Sequence, residues 1–145
     1  MSADYPSMTT AEIRSKFLNF FEERGLKLYP SSSLVPDDPS LLLANAGMNQ
    51  FKEYYQGKKT MKEIGAISCQ KCVRTNDIDC IGEDGRHLSF FEMLGDFSFG
   101  GVSKQQACAW AFELITKEFK LPLDRLYFTV FTEDDETHDV GRSLG

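Results

Sequence analysis

The sequence lacks the long apolar run that a membrane-spanning helix requires. No stretch approaches the roughly 20 predominantly apolar residues that cross a bilayer. Residues 1–10 contain neither a basic cluster nor an apolar stretch, so the sequence predicts no secretory signal. Because four cysteines occur without an export signal, we expect reduced thiols and a cytoplasmic location.

Positive charge is also scarce. The chain has 16 lysines and arginines against 22 aspartates and glutamates, for a net charge of −6. A protein that binds RNA by itself usually presents a basic surface, since contacts to phosphate dominate the affinity. Lys58, Lys59, Lys62 and Lys71 form only a modest basic cluster, which is more typical of a solvated surface than of an RNA contact. Independent RNA binding is therefore not expected.

Sequence motifs for binding a metal or a phosphate are missing too. A closed zinc site needs four ligands in two spaced pairs, whereas Cys69 and Cys72 form one pair, and Cys80 and Cys108 stand alone. On a strand, Cys69 and Cys72 would also face opposite sides. No G-x-x-x-x-G-K-[ST] loop occurs. The sequence therefore predicts neither a zinc site nor a P-loop.

The composition is that of a folded protein. Hydrophobic residues make up 41% of the chain and aromatic residues 12%, and 145 residues suffice for one domain with a core. We predict a disordered tail over residues 1–8, a folded body over 9–135 and a frayed polar tail over 136–145. No repeat or linker interrupts the body, so we expect a single piece.

Capping boxes mark two helices. Thr9 and Glu12 match the first, whose apolar spacing continues toward Gly25. Ser103 begins the second, and Pro122 prevents its extension.

The centre of the chain is predicted to be an antiparallel hairpin with a long loop. Ser68–Val73 forms the first strand, with Arg74 at its exit, and Asn76–Gly85 supplies turn residues. His87–Phe91 is the predicted return strand. Leu126–Phe131 is also rich in β-forming residues and is expected to add a strand to the sheet.

Alternation in the return strand places His87, Ser89 and Phe91 on one face and Phe90 on the other, in the core. Arg74 and Phe91 are then expected to share an open face of the sheet. A guanidinium takes phosphate oxygens in two-pronged fashion and a ring stacks on a base, so this pair suits a nucleotide. From the residues alone, two alternatives stay open: Arg74 as an ordinary surface charge and Phe91 as an ordinary core residue.

Four strings, in order along the chain, resemble the amino-terminal part of the catalytic domain in the alanyl-tRNA synthetase family, a family of class II aminoacyl-tRNA synthetases. Within them, Arg74, a loop and then His87-x-x-x-Phe91 are similar to motif 2 of that class. The resemblance runs from about Thr9 to about Asp135. The strings are Ser31–Pro36, Asn45–Lys52, Gln70–Arg74 and Phe90–Gly95.

The resemblance implies an α+β fold: a mostly antiparallel sheet with flanking helices, forming the motif 1 and motif 2 regions of a class II aminoacylation domain. It implies part of an alanine–tRNA ligase, which activates alanine with ATP and Mg²⁺ to alanyl-adenylate. Transfer to tRNA is expected only in a full-length enzyme. Motif 1, which here includes Met48–Tyr55, supports a dimer interface in many class II enzymes. A homodimer through this region, or through an exposed sheet edge, is therefore an expectation beside the alternative of internal packing.

The resemblance also implies roles for individual residues. Arg74 is the catalytic residue, because its guanidinium cancels the repulsion between the alanine carboxylate and the α-phosphate of ATP. Phe91 lies under adenine. The other implied ATP-binding residues in the return strand and before it are Arg86 and His87, at the terminal phosphates, and Met93, at the wall of the adenine pocket.

The chain departs from the family pattern in several places, among them Gly101–Ser103, which replaces the usual Asp-Tyr-Phe. Thr75–Asp77 follows Arg74 directly, where family members often carry a longer glycine- and lysine-bearing insert; Asp77 matches an acid that holds the ATP ribose or positions Arg74. Asp96 replaces the usual asparagine. The motif 3 pattern G-x-G-x-x-R, with its second ATP-binding arginine, does not occur, so we expect these 145 residues alone to be inactive or nearly so.

Two further hypotheses are kept beside the ligase. One is a stand-alone, non-catalytic paralogue that acts as a nucleotide-binding or protein-interaction module. The other is a purely structural domain in which Arg74 is a surface charge.

Overall fold

The computed structural model describes residues 7–76 and 78–144. Among these residues, no helix is long and apolar enough to cross a membrane. The chain divides into two compact units, one formed by residues 7–20 with 102–144 and the other by Phe21–Gly101. The sequence predicts a single piece, and the difference arises because the polypeptide leaves the first unit and returns to it without any compositional linker.

The amino-terminal helix confirms its predicted capping box. Helix α1 spans Thr10–Glu22. The Thr9 backbone N–H donates to the Glu12 carboxylate at 2.7 Å, and the Glu12 N–H donates to the Thr9 hydroxyl at 3.2 Å. Phe17 and Phe20 are buried, as their helical spacing predicts.

The second predicted helix is also present. Helix α3 spans Lys104–Glu113 and begins at Ser103, whose hydroxyl accepts from the Gln106 N–H at 3.1 Å. A π-helical turn continues it over Leu114–Glu118, and a 3₁₀ turn follows at Leu123–Arg125.

Two predictions for the end of the first unit are wrong. The polar tail over 136–145 is not frayed in its described part, since Asp135–Leu144 forms helix α4. Asp134 caps this helix by accepting a hydrogen bond from the Thr137 N–H at 3.1 Å. The acidic side chains of the first turn, Asp135 and Glu136, interact favourably with the positive end of the helix dipole. Leu126–Phe131 is not a strand: it pairs with no other segment in the described chain.

The second unit contains a mixed sheet rather than a mostly antiparallel one. Its strands are β1 (Lys27–Leu28), β2 (Gly65–Val73) and β3 (Phe90–Ser98), in the order β1-β2-β3. Strands β2 and β3 are antiparallel, as predicted, but β1 runs parallel to β2. The segment between them is long enough for such a crossover and carries a 3₁₀ turn, Gly47–Phe51, and helix α2, Lys52–Tyr55. Sequence patterning alone does not report the direction in which two strands pair.

The return strand differs from its prediction in both position and length. Strand β3 begins at Phe90 instead of His87 and continues through Gly95 to Ser98. Phe90 is 50% exposed, so its assignment to the core is wrong. This residue lies at the first position of an edge strand, and no further strand of the described chain pairs beyond it.

The core of the second unit centres on Phe51, which is 1% exposed. Its ring lies 5.3 Å from Tyr29, 4.9 Å from Phe97 and 6.0 Å from Phe99, measured between ring centroids. One face of β2 packs against these four aromatic rings. The buried residues of that face are Ala66, Ser68, Gln70 and Cys72.

Candidate functional site

The register of β2 and β3 determines which side chains meet at the open end of the ribbon. Cys72 pairs with Phe91, and the Arg74 N–H continues the ladder by donating to the Ser89 carbonyl at 2.9 Å. Cys72 and Arg74 lie two residues apart and therefore share a face with Phe91. Arg74 and Phe91 are thus diagonal neighbours across two strands.

The guanidinium of Arg74 is fixed by two contacts. Its Cζ lies 5.2 Å from the centroid of the Phe91 ring, within the range of a cation–π interaction. Its Nε donates to the backbone carbonyl of Asn45 at 3.0 Å. Arg74 is exposed and Phe91 half-buried, so the charged group is held in a defined place while solvent still reaches it.

The segment that precedes the 3₁₀ turn forms a second wall of this site. The Val73 N–H donates to the Ala44 carbonyl at 2.9 Å, which places Asn45 beside Arg74. Two residues later, the Gly47 N–H donates to the Met93 sulfur at 3.3 Å. This segment therefore contacts β2 near Arg74 and β3 at Met93.

A buried amide anchors the wall to the sheet. Gln70, directly opposite Met93 in the register, is fully buried. Its side-chain oxygen accepts from the Ser32 N–H at 2.8 Å and from Gln50 Nε2 at 3.1 Å, and its own Nε2 donates to the Ser32 carbonyl at 3.2 Å. Gln70 thus joins three segments beneath the candidate site.

The loop before β3 is organised by Asp84. One carboxylate oxygen accepts from the backbone N–H groups of Arg86 at 2.9 Å and His87 at 3.0 Å, and the other lies 2.6 Å from His87 Nδ1. The N–H of Arg86, then that of His87, lowers the pKa of Asp84 from its ordinary 3.8 to about 2. Asp84 is therefore ionised at neutral pH and holds the main chain of Arg86 and His87 in place.

The structure brings together some of the predicted site residues and separates others. Arg74 and Phe91 meet, and Met93 lies one step further along the same face. Arg86 and His87 sit in the exposed loop, and their contacts with described residues stay within that loop. Because His87 precedes the strand, the predicted alternation does not apply to it. Asp77 lies outside the described residues.

Sequence reasoning missed three contributors. Asn45 acts through a backbone carbonyl, which no side-chain pattern reports. Gln70 carries a polar amide on a fully buried strand face, and nothing in its sequence neighbourhood, Cys69 and Lys71, distinguishes it from an exposed glutamine. Asp84 precedes Gly85 in a turn, and an aspartate there commonly accepts main-chain N–H groups.

The cysteines fit a structural setting. Cys72 is buried and Cys69 half-buried, on opposite faces of β2, and burial raises the pKa of the Cys72 thiol. Within residues 7–76 and 78–144, no group of three or more His, Cys, Asp and Glu side chains is placed to hold a metal.

The two antiparallel strands, the arginine over an aromatic ring and the loop with Arg86 and His87 agree with the motif 2 pattern. The family model of class II tRNA synthetases (A) matches residues 12–144. The chain belongs to this family.

The names of individual relatives are more specific than the family description. The chain is 54% identical over 128 residues to the alanine–tRNA ligase, chloroplastic/mitochondrial, of Sorghum bicolor, covering 88% of this chain and 13% of the relative. It is 51% identical over 142 residues to the alanine–tRNA ligase of Synechocystis sp., covering 98% of this chain and 16% of that protein. For the alanine–tRNA ligase of Fervidobacterium nodosum the identity is 49% over 138 residues, covering 95% and 16%. The chain therefore spans about one sixth or less of the length of these relatives.

Proposed function

We propose that the chain is part of an alanine–tRNA ligase and carries half of its ATP site. The observation that supports this most directly is the guanidinium of Arg74 held over the Phe91 ring at the exposed end of the β2–β3 ribbon. The names of the relatives support the ligase over a stand-alone paralogue.

In the proposed reaction, the carboxylate of alanine attacks the α-phosphate of ATP and pyrophosphate leaves. Both reactants are anionic and repel each other. A guanidinium placed between them offsets the repulsion and stabilises the charge that builds on the equatorial oxygens in the transition state. Arg74 supplies that charge, and Mg²⁺ enters with the ATP phosphates.

The remaining roles follow from position. Phe91 is proposed to stack on adenine through the part of its ring that Arg74 does not cover. Met93, on the same face of β3, is proposed to extend this apolar surface. Arg86 and His87, gathered by Asp84, are proposed to meet the terminal phosphates. Asp77 remains a proposal for the ribose or for positioning Arg74.

Partners and location belong to the same proposal. Alanine and ATP are the small substrates, and tRNA is a partner of the full-length enzyme. A homodimer through Met48–Tyr55 or through the outer edge of β3 is a further proposal, although Phe51 within the first segment already packs internally. We also propose a cytoplasmic location, as for an enzyme of protein synthesis.

The test is an ATP titration of the chain by calorimetry. We expect Arg74→Ala and Phe91→Ala each to weaken ATP binding by about tenfold or more, since each removes a direct contact. Lys71→Ala is the matched control, because Lys71 is an exposed cation on the opposite face of the same strand. Equal ATP affinity in all four proteins would leave Arg74 a surface charge and the domain purely structural.

A further inference from the structure

In the loop before β3, one carboxylate holds His87 at two points. An oxygen of Asp84 accepts from the backbone N–H of His87 at 3.0 Å, and its other oxygen lies 2.6 Å from Nδ1 of the His87 ring. Both distances are those of hydrogen bonds. The backbone and the ring of His87 are therefore fixed by the same side chain.

The ring nitrogen is the donor in the shorter of these contacts. An imidazole nitrogen can donate or accept, whereas an ionised carboxylate only accepts. The N–H groups of Arg86 and His87 hold the pKa of Asp84 at about 2, so its carboxylate carries no proton at neutral pH. The proton in the 2.6 Å contact is therefore on Nδ1, and this contact selects the tautomer of the ring.

The second ring nitrogen, Nε2, is left for a ligand. The His87 side chain is 46% exposed, and within residues 7–76 and 78–144 no hydrogen bond involves Nε2. In a neutral ring with its proton on Nδ1, Nε2 carries a lone pair, which a phosphate oxygen repels. A proton added at Nε2 makes it a donor, and the imidazolium is then stabilised by Asp84 on one side and by the phosphate on the other.

The loop and the adjoining strand ends carry other charged or titratable side chains, of both signs. Among the residues that the structure describes, only Asp84 forms an ion pair with the His87 ring. The other groups are Arg74, Asp79, Cys80, Glu83, Arg86 and Glu92. They stay in place when Asp84 is substituted, so a variant of Asp84 isolates its own contribution.

We propose that Asp84 is a positioning residue for recognition of the terminal phosphates of ATP: it binds Nδ1 of His87, and Nε2 takes up a proton from solvent when the phosphates bind. The proposal rests on the proposed function. The complex then holds up to one proton more than its free components, so ATP binds more tightly at lower pH and its affinity falls as the pH rises. AMP, which has no terminal phosphates, should show no such dependence.

The tautomer is tested without nucleotide, by ¹⁵N NMR of the ring nitrogens in the isolated chain at about pH 8.5, where an ordinary histidine is neutral. We expect the proton of His87 on Nδ1. Asp84→Asn should reverse the tautomer, because the amide oxygen keeps the two backbone N–H groups while the amide NH₂ donates to Nδ1 and leaves the ring proton on Nε2. A proton on Nε2 in the unsubstituted chain would overturn the proposal.

The chain supplies a matched control in its other histidine. Nδ1 of His138 lies 3.5 Å from a carboxylate oxygen of Asp139, which is longer than an ordinary hydrogen bond. Asp139→Asn should therefore leave the ring spectra of both histidines unchanged.

The proton uptake is tested by calorimetric titration with ATP and Mg²⁺, and with AMP, at about pH 7 and about pH 8.5. We expect the ATP affinity of the unsubstituted chain to fall about threefold over this range, and that for AMP to stay the same. Asp84→Asn and, separately, His87→Gln should remove the fall, whereas Asp139→Asn should retain it. His87→Gln keeps the backbone bonds to Asp84, so it guards against a loop that Asp84→Asn disorders.

A fall in ATP affinity that persists in both loop variants, or that appears equally with AMP, would also overturn the proposal. A chain that binds no ATP while His87 carries its proton on Nδ1 would count against the proposed ATP site; the action of Asp84 on His87 would stand.

Discussion

At the scale of single residues, the candidate site depends on groups that are held by backbone atoms. Arg74 is anchored by a carbonyl of Asn45, and Arg86 and His87 by their own N–H groups on Asp84. The sequence pointed to Arg74, His87 and Phe91 as candidates, because their residue types and spacing fit the proposed chemistry. It did not identify their supports, since a backbone carbonyl has the same chemistry in every residue.

Gln70 provides the first prediction at this scale. Gln70→Ala should lower the free energy of unfolding by about 2–4 kcal/mol, because the polar groups of Ser32 and Gln50 lose a buried partner and a cavity remains. Urea denaturation followed by circular dichroism measures the change. Gln56→Ala, at an exposed position of the same unit, should change stability by less than about 0.5 kcal/mol. Equal effects of the two substitutions would show that the buried network contributes nothing specific.

Asp84 gives a prediction for pH. Its pKa is lower in the folded chain, about 2, than its ordinary 3.8, so its stabilisation of the loop is complete above the ordinary value and is lost as the pH falls through about 2. The amide resonance of Arg86 should therefore shift with a midpoint near pH 2 in NMR spectra. Asp84→Asn should abolish this transition. A midpoint near pH 4 in the unsubstituted chain would mean that the two N–H groups do not form their hydrogen bonds to Asp84 in solution.

At the scale of elements, the hairpin was predictable and its return strand was placed too early. Alternation and turn residues correctly predicted two antiparallel strands around Arg74. The boundary was misplaced because Asp84 retains residues 86–87 in the loop, and β3 then continues through Gly95 to Ser98. A glycine is tolerated inside this strand since the Phe97 ring lies over it: a Cβ on Gly95 would come within 2.6 Å of that ring.

The same contact yields a prediction for β3. Gly95→Ala should lower the free energy of unfolding by about 1–3 kcal/mol, because Phe97 must move away and disturb its packing on Phe51. In a Phe97→Ala background the added methyl group should cause a much smaller loss. A double-mutant cycle by urea denaturation measures the coupling. Additive effects would indicate that the glycine is required for another reason.

At the scale of the whole molecule, patterning predicted an α+β protein but not its division into two units. The segment Asp135–Leu144 was predicted to be a frayed tail, but it forms a helix. Its capping residue Asp134 is held by the Lys104 side chain at 2.9 Å, and this contact joins residues that lie far apart in the sequence. The direction of β1 and the unpaired state of Leu126–Phe131 depend on what else the polypeptide packs against. Local sequence does not report such partners.

The last prediction concerns activity. In pyrophosphate exchange with alanine, the isolated chain should remain at background, because it contains no G-x-G-x-x-R arginine to complete the ATP site. A chimera in which this chain replaces the matched region of the Synechocystis ligase should show exchange, and Arg74→Ala in that chimera should reduce its rate by about 100-fold or more. Robust exchange by the isolated chain would mean that the ATP site is already complete.

The bond between Arg74 Nε and the Asn45 carbonyl has a consequence for selectivity. A guanidinium carries five N–H donors, and this bond uses the one on Nε. Under the proposed function, a phosphate would therefore dock end-on, against the two terminal nitrogens, because the Asn45 carbonyl occupies the sideways approach through Nε. Since the arginine rotamer is already restricted by the carbonyl and the ring, little conformational entropy remains to be lost when the anion arrives. A guanidinium held in this way favours ligands with two oxygens that lie in the plane of its terminal nitrogens.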